Sequence, residues 1–155
     1  MSFYASLPAK RMSANALFFD QAGHLLLVKP TYRDHWHLPG GIVEKDESPQ
    51  AACRREVCEE LGLDLPIGRL LVVDYTAGQG DWTEKLEFVF YGGRLNQTQI
   101  DGIKLPAEEL AEYRFVAGAQ SIGMLSPMTG RIAAQALGAV NEGATRYLEN
   151  QLPVS

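Results

Sequence analysis

One segment, Gly41 to Leu63, constrains this chain more than any other, because it sets a glycine-led loop in front of a short helix with marked ends. Ser48 is a good N-cap, and Pro49 suits the first helical position, where its missing N–H costs nothing. Gly62 supplies the left-handed stop, so the sequence predicts a helix from about Pro49 to Leu61. On its wheel Cys53, Val57 and Leu61 share one side, while Glu56, Glu59 and Glu60 gather about 110° away with Ala52 among them. Like charges at i, i+3 and i+4 destabilise a solvated helix by roughly 0.2–0.5 kcal/mol per pair. The cluster makes physical sense where a cation sits among the carboxylates. One side of the helix is expected to pack on a sheet and the other to line a site.

The rest of the chain reads as strands and one further helix. Met12 to Phe19 and Leu25 to Val28 are apolar runs flanking Gly23, which predicts a hairpin. Thr31 to His35 is a polar loop, and Trp36-His-Leu-Pro-Gly-Gly41 leads into the helix segment, with Pro39 biasing Leu38 to an extended backbone. Arg69–Asp74 and Lys85–Tyr91 are strand-like and separated by the loop Thr76–Thr83. Leu105 to Glu112 reads as a loop and short turn, and Tyr113–Val116 as a brief strand. From Pro127 to about Asn141, Ile132, Ala133, Ala136, Leu137 and Val140 recur at helical spacing, with Gly143 beyond the end. Strands interleaved with two helices predict an α/β fold, a mixed β-sheet between helices in an α/β/α sandwich. Residues 1–155 are read as a single domain with residues 1–11 as an N-terminal arm, without internal repeats.

Composition narrows the function classes. A formal charge of −5 without a Lys/Arg cluster argues against duplex nucleic acid as a partner. A small anionic substrate stays open if metal ions supply the positive charge. No apolar run approaches the ~18 residues of a membrane span, and the N-terminus lacks the pattern of a secretory signal, so a cytoplasmic location is expected. Cys53 and Cys58 lie five apart, about 140° around the helix, and are read as packed thiols that do not pair with each other. His35 and His37 lack a carboxylate or Cys at ligand spacing, so no zinc site is expected there.

Read with its gaps, the segment is Gly41, five residues, Glu47, seven residues, Arg55-Glu56-Val57, one residue, Glu59-Glu60, one residue, Gly62-Leu63. This resembles the Nudix box of the Nudix hydrolase family at every fixed position. At typical residue usage, so many identities coincide by chance on the order of once in 10⁹ starting points. The lead-in Trp36–Gly41 is similar to the one common in this family; the remaining chain resembles the family only loosely, MutT-like in the broad sense.

The resemblance implies the Nudix fold. It also implies Mg²⁺ or Mn²⁺ bound by Glu56, Glu59 and Glu60 with the Gly41 carbonyl, hard oxygens that suit such ions. It further implies attack of water at phosphorus of a nucleoside diphosphate linked to another moiety, with Glu47 and Arg55 as an ion pair tying loop to helix. Glu59, Glu108 and Glu109 are candidates for the general base, with Glu84 and Glu87 as outsiders; a solvated acidic turn is the bland reading of Glu108, Glu109 and Glu112. Tyr32, Trp36, Tyr75 and Trp82 are candidate base-stacking rings, and Lys29, Arg33 and Lys45 candidate phosphate contacts, each weighed against a plain core or surface role. Neither a CoA-type signature nor the downstream proline or tyrosine of the ADP-ribose and dinucleoside polyphosphate subgroups is present. A (deoxy)nucleoside triphosphate or related nucleotide is therefore the leading substrate. The alternatives are an ADP-ribose or nucleotide-sugar pyrophosphatase and a non-catalytic Nudix-fold nucleotide-binding module. A homodimer through the second helix and the N-terminal arm is also open.

Overall fold

The computed structural model describes residues 2–154. Its strands are β1 (Arg11–Phe19), β2 (Leu25–Pro30), β3 (Gly40–Ile42), β4 (Leu70–Thr76), β5 (Lys85–Arg94), β6 (Leu110–Val116), β7 (Arg146–Glu149) and β8 (Leu152–Pro153). The helices are α1 (Pro49–Leu61), α2 (Gln97–Asp101), α3 (Gly118–Ile122) and α4 (Pro127–Glu142). The sheet runs β6-β2-β1-β5-β4-β7-β8, with β3 attached to β1. The β1–β5 and β4–β7 pairs are parallel and the remaining pairs antiparallel, so the sheet is mixed as the sequence predicts.

Strand alternation divides the core into two layers. Ala14, Ala16 and Phe18 of β1, with Leu26 and Val28 of β2, pack under Cys53, Val57 and Leu61 of α1. Leu17, Leu25, Leu27 and Val89 face the other way, against Ile132, Ala133, Ala136 and Ala139 of α4. Each fully buried large side chain contributes about 1.5–3 kcal/mol. Covered on both faces, the sheet is the middle layer of an α/β/α sandwich.

The predicted hairpin forms, but it splays. Its turn is tied by Gly23 N–H to the Asp20 carbonyl (3.1 Å) and by the Asp20 side chain accepting from Ala22 and His24. Phe19 and Leu25 pair, after which the strands part and Trp36–Ile42 enters the gap. Val28 and His37 exchange both backbone bonds at 2.9 and 2.8 Å, Ala16 N–H reaches the Pro39 carbonyl at 3.0 Å, and Gly40–Ile42 pairs with Ser13–Asn15. The glycine segment is therefore a strand of the sheet, not a free loop.

Other differences from the sequence reading have local causes. β6 begins at Leu110 rather than Tyr113, because Leu110 and Glu112 pair with Pro30 and Lys29 across a bulge; pairing overrides the weak strand propensity of Ala-Glu. The short α2 was not predicted; it is fixed by a reciprocal Asn96–Gln99 capping box. β7 and β8 dock through the buried Gln151, which donates its N–H to Asp74 Oδ1 at 2.7 Å. Among the described residues no helix is long and apolar enough to cross a membrane.

Gly40 (φ 144°) allows the insertion, since a Cβ there would lie 2.3 Å from the Ala14 carbonyl oxygen. Gly80 also has positive φ (60°) but nothing within 4 Å. In urea denaturation Gly40→Ala is expected to cost roughly 2–6 kcal/mol, the sum of backbone strain and overpacking. Gly80→Ala is expected to cost about 1–2 kcal/mol from the left-handed backbone alone; equal losses would contradict the insertion.

Candidate active site

The box helix lies where its caps dictate. Ser48 Oγ accepts the Ala51 N–H at 3.1 Å, and Gly62 ends the helix at φ 71° with its N–H on the Cys58 carbonyl. Burial of Ala52, Cys53, Val57 and Leu61 fixes the rotation. Glu56 and Glu60 are thereby left half-buried beside β3, and Glu59 exposed. Glu60 Oε1 accepts the Gly40 N–H at 2.7 Å. A Cβ on Gly41 would sit 2.5 Å from Glu56 Cδ and 2.7 Å from its Oε2, so the carboxylate lies directly on the strand backbone.

Arg55 ties these parts together. Its Nε and Nη2 donate to Glu47 Oε2 and Oε1 at 2.7 and 3.0 Å, the bidentate geometry the planar fork favours. Nη2 also donates to the Ile42 carbonyl at 3.1 Å, and Nη1 to Glu56 Oε1 at 2.9 Å and, more weakly, Glu59 Oε1 at 3.3 Å. Glu47 Oε1 accepts the Glu44 N–H at 3.1 Å, closing the loop between β3 and α1. The Arg55 bonds hold the Glu47 carboxyl below the usual range, and Glu47 in turn raises Arg55.

Burial, first of all, pushes the Glu60 carboxyl up to about 8; the Gly40 N–H opposes this, and the charges of Glu56, Glu109 and Glu59 add to it. Burial also raises Glu56, against the pull of Arg55. Among the described residues no three carboxylate, imidazole or thiol groups converge closely enough to hold a metal ion together. The reason is local: the guanidinium holds Glu56 and reaches Glu59, while Glu60 turns to Gly40. The donor set nevertheless suits a divalent cation, since the missing Cβ of Gly41 lets the hard carboxylate oxygens of Glu56 lie against the strand backbone. The guanidinium engages only Oε1 of Glu56 and Oε1 of Glu59, leaving the second oxygen of each carboxylate free of it.

The candidate bases separate by position. The charge of Glu109 acts on Glu60. Glu108 and Glu109 both have exposed side chains on a turn whose carbonyls accept from Thr31, Glu108 from Oγ1 and Glu109 from N–H, each at 2.9 Å. Glu84 is engaged by Tyr75 and Lys10, and Glu87 is buried on β5.

Of the proposed substrate contacts, Arg33 and Trp82 border one trench beside the N-terminus of α4. Tyr32 is exposed with the Arg33 guanidinium over its ring. Trp36 packs against the α4-side core with Arg114 4.7 Å from its ring centroid. Tyr75 donates its hydroxyl to Glu84 at 2.8 Å in a separate hollow, and Lys45 borders another with Lys10 and Glu44. Lys29 Nζ is taken by the carbonyls of Pro30 and Arg33. Cys58 is a correction: it is exposed, because its direction on the wheel points away from the sheet. Cys53 is buried as predicted, its thiol pushed up to about 12 by burial and then by Glu60 and Glu56. Ser13 and Asn15, which line a cavity beside Gly40 and Gly41 together with Glu87, were missed. Their signal was a polar residue at every second position of a strand, Ser13 and Asn15 in β1 and Lys85 and Glu87 in β5.

Comparison with known proteins agrees with this geometry. Residues 9–132 match the family described as NUDIX domain. The chain is 43% identical over 63 residues to diphosphoinositol polyphosphate phosphohydrolase 2 of Rattus norvegicus, a match covering 40% of this chain and 35% of that protein. The crystal structure of the MutT protein from Methanosarcina mazei Go1 superposes with a TM-score of 0.68 at 26% identity, covering 90% of this chain and 100% of that one. The crystal structure of a UDP-X diphosphatase gives a TM-score of 0.73 at 26% identity, covering 95% of this chain and 70% of that one. The chain belongs to the Nudix hydrolase family.

The position of Glu60 has a consequence for stability. A carboxyl raised from 4.5 to about 8 on folding binds more protons in the folded than in the unfolded state between those values. Its contribution is thus fully present below about pH 4.5 and is lost as pH rises towards 8. In chelator-treated protein the melting temperature of Glu60→Gln relative to wild type is expected to rise from pH 5 to pH 8; a constant difference would contradict the burial of Glu60.

Proposed function

We propose that this chain is a metal-dependent pyrophosphohydrolase acting on a nucleoside diphosphate linked to another moiety, foremost a (deoxy)nucleoside triphosphate or a related nucleotide. The observation that carries the reading is the contact of Glu56 and Glu60 with the Gly40–Gly41 strand, held by the Arg55–Glu47 fork. Glu56, Glu59, Glu60 and the Gly41 carbonyl would hold Mg²⁺ or Mn²⁺. Such an ion supplies positive charge to the phosphate oxygens and acidity to the attacking water.

The chain's own groups do the rest. Arg55 fixes the height of α1 over β3 through Glu47 and Ile42, which sets where Glu56 stands. Glu59, exposed and only weakly held by Arg55, would take a proton from water through whichever carboxylate oxygen the ion does not use. Glu108 and Glu109, exposed on the turn before β6, are the further base candidates. All three box glutamates are present, which speaks against a non-catalytic nucleotide-binding module. The likeness to the UDP-X diphosphatase keeps a nucleotide-sugar substrate as the second reading.

The test is a panel of nucleoside triphosphates, ADP-ribose and UDP-sugars with Mg²⁺ or Mn²⁺, assayed for release of phosphate, pyrophosphate or monophosphate. Turnover is expected only with metal, and Glu59→Gln is expected to lower kcat on the order of 10²–10⁴-fold. Comparable losses in Glu109→Gln, with Glu59→Gln near wild type, would move the base to the turn. No metal-dependent release from any compound would overturn the assignment.

A further inference from the structure

The two ends of the sheet are finished differently. At one end β8 is two residues long and carries Pro153, whose nitrogen has no hydrogen to offer a further strand. At the other end β6 runs seven residues, Leu110-Ala-Glu-Tyr-Arg-Phe-Val116, with no proline, glycine or lysine among them. Its irregularity is confined to the bulge at its start, where Leu110 and Glu112 face Pro30 and Lys29. A long edge of this composition is a template for another strand unless something blunts it.

The pairing of β2 shows which backbone groups that edge leaves free. Along an antiparallel strand, successive residues turn their N–H and C=O alternately to one neighbour and to the other. Val28 exchanges both of its bonds with His37, so its groups point away from β6, and Val28 and Tyr113 are a non-hydrogen-bonded pair. Lys29 and Leu27 therefore bond Glu112 and Arg114, and the N–H and C=O of Tyr113 and Phe115 point outward. Among the described residues no backbone bond from another segment reaches them. Tyr113 and Phe115 stay half-buried on the α1 side, their rings 6.2 Å apart and edge to face. Glu112 and Arg114 stand exposed on the α4 side, where Arg114 Nη2 donates to Glu112 Oε1 at 2.6 Å and the guanidinium lies over Trp36.

These charges choose a register for a second copy. Outward residues must face outward residues, so an antiparallel β6 pair that keeps most of the strand can be centred on Glu112, Tyr113 or Arg114. Centring on Glu112 or on Arg114 sets that residue opposite itself, like charges directly across the ladder. Centring on Tyr113 sets Glu112 opposite Arg114 twice, at non-hydrogen-bonded positions where the Cα atoms come within about 4.5 Å. The four side chains then alternate in sign around a square. In the same register Tyr113 exchanges both backbone bonds with Tyr113 of the second copy, and Phe115 faces Ala111, a large ring opposite a small residue. Simple guards of a solvated edge would carry one sign and repel every register. This pair repels the two neighbouring registers and favours the central one, which is also the one that overlaps the whole strand.

We propose that β6 is a homodimer interface, in which two copies of this chain pair antiparallel about Tyr113 and join their sheets edge to edge, Glu112 of each against Arg114 of the other. The proposal goes beyond the pyrophosphohydrolase reading and does not rest on it, since none of the box residues lies on β6.

Sedimentation velocity over a concentration series, with melting curves to establish folding, tests the charges. Wild type is expected to dimerise reversibly. Arg114→Glu and Glu112→Arg each set like charges opposite in the central register and are expected to weaken dimerisation at least about tenfold. The double variant restores opposite charges and is expected to return to within about threefold of wild type. Arg114 also packs on Trp36, so where a variant does not fold, hydrogen exchange followed by NMR on wild type decides. The amides of Tyr113 and Phe115 are expected to slow as concentration rises, while those of Glu112 and Arg114, already bonded to β2, change little. A wild type that stays monomeric up to about 1 mM, folded single variants that dimerise like wild type, a folded double variant no better than the singles, or Tyr113 and Phe115 amides that exchange at one rate at every concentration would overturn the proposal. So would a dimer whose concentration-dependent protection falls on α4 and the N-terminal arm instead of β6.

Discussion

The short strand Gly40–Ile42 is held from both sides, by backbone pairing with β1 and by side chains of α1, and the arrangement of the site depends on that double contact. Two glycines make it possible. A Cβ at Gly40 would collide with the β1 backbone, and one at Gly41 with the Glu56 carboxylate. Removing those side chains lets three layers of backbone and carboxylate approach more closely than any other residue would permit. The Arg55 fork then fixes the distance, since one guanidinium reaches Glu47 on the loop, the Ile42 carbonyl on the strand and Glu56 on the helix.

This construction concentrates like charge where it is most costly. Glu60 is buried beside Glu56, and its elevated proton affinity expresses that cost. Arg55 compensates part of it, by binding Glu56 and reaching Glu59. The same carboxylates offer hard oxygens of the kind a divalent ion takes. On the other face of the sheet Asp74 and Glu87 are buried carboxylates, and Glu87 lines a pocket of different chemistry. β3 borders both the box carboxylates and that pocket.

Much of the metal-side arrangement was legible in the sequence because it is encoded locally. The Ser48 cap, Pro49, the Gly62 stop and the Glu47–Arg55 spacing all lie within one segment, and the structure reproduces the helix bounds and the ion pair. The apolar periodicity likewise announced α4, and the apolar run Met12–Phe19 announced β1. What escaped depends on partners far along the chain. β3 became a strand because the β1–β2 hairpin splays, and Leu110 joined β6 through pairing with Pro30. The Ser13–Glu87 pairing brings together residues more than seventy positions apart, and nothing local to either marks it as a pocket. Cys58 was misread for a smaller reason: about 140° from a packed thiol on the wheel is the solvent side.

The central claim is that the box carboxylates hold a divalent ion. Mn²⁺ titration followed by electron paramagnetic resonance measures this without reference to any substrate. Wild type is expected to bind Mn²⁺ saturably, with Glu56→Gln and Glu60→Gln each weakening binding at least about tenfold, as loss of a ligand or of its positioning does. Mn²⁺ binding that is absent from wild type, or unchanged in both variants, would contradict the account.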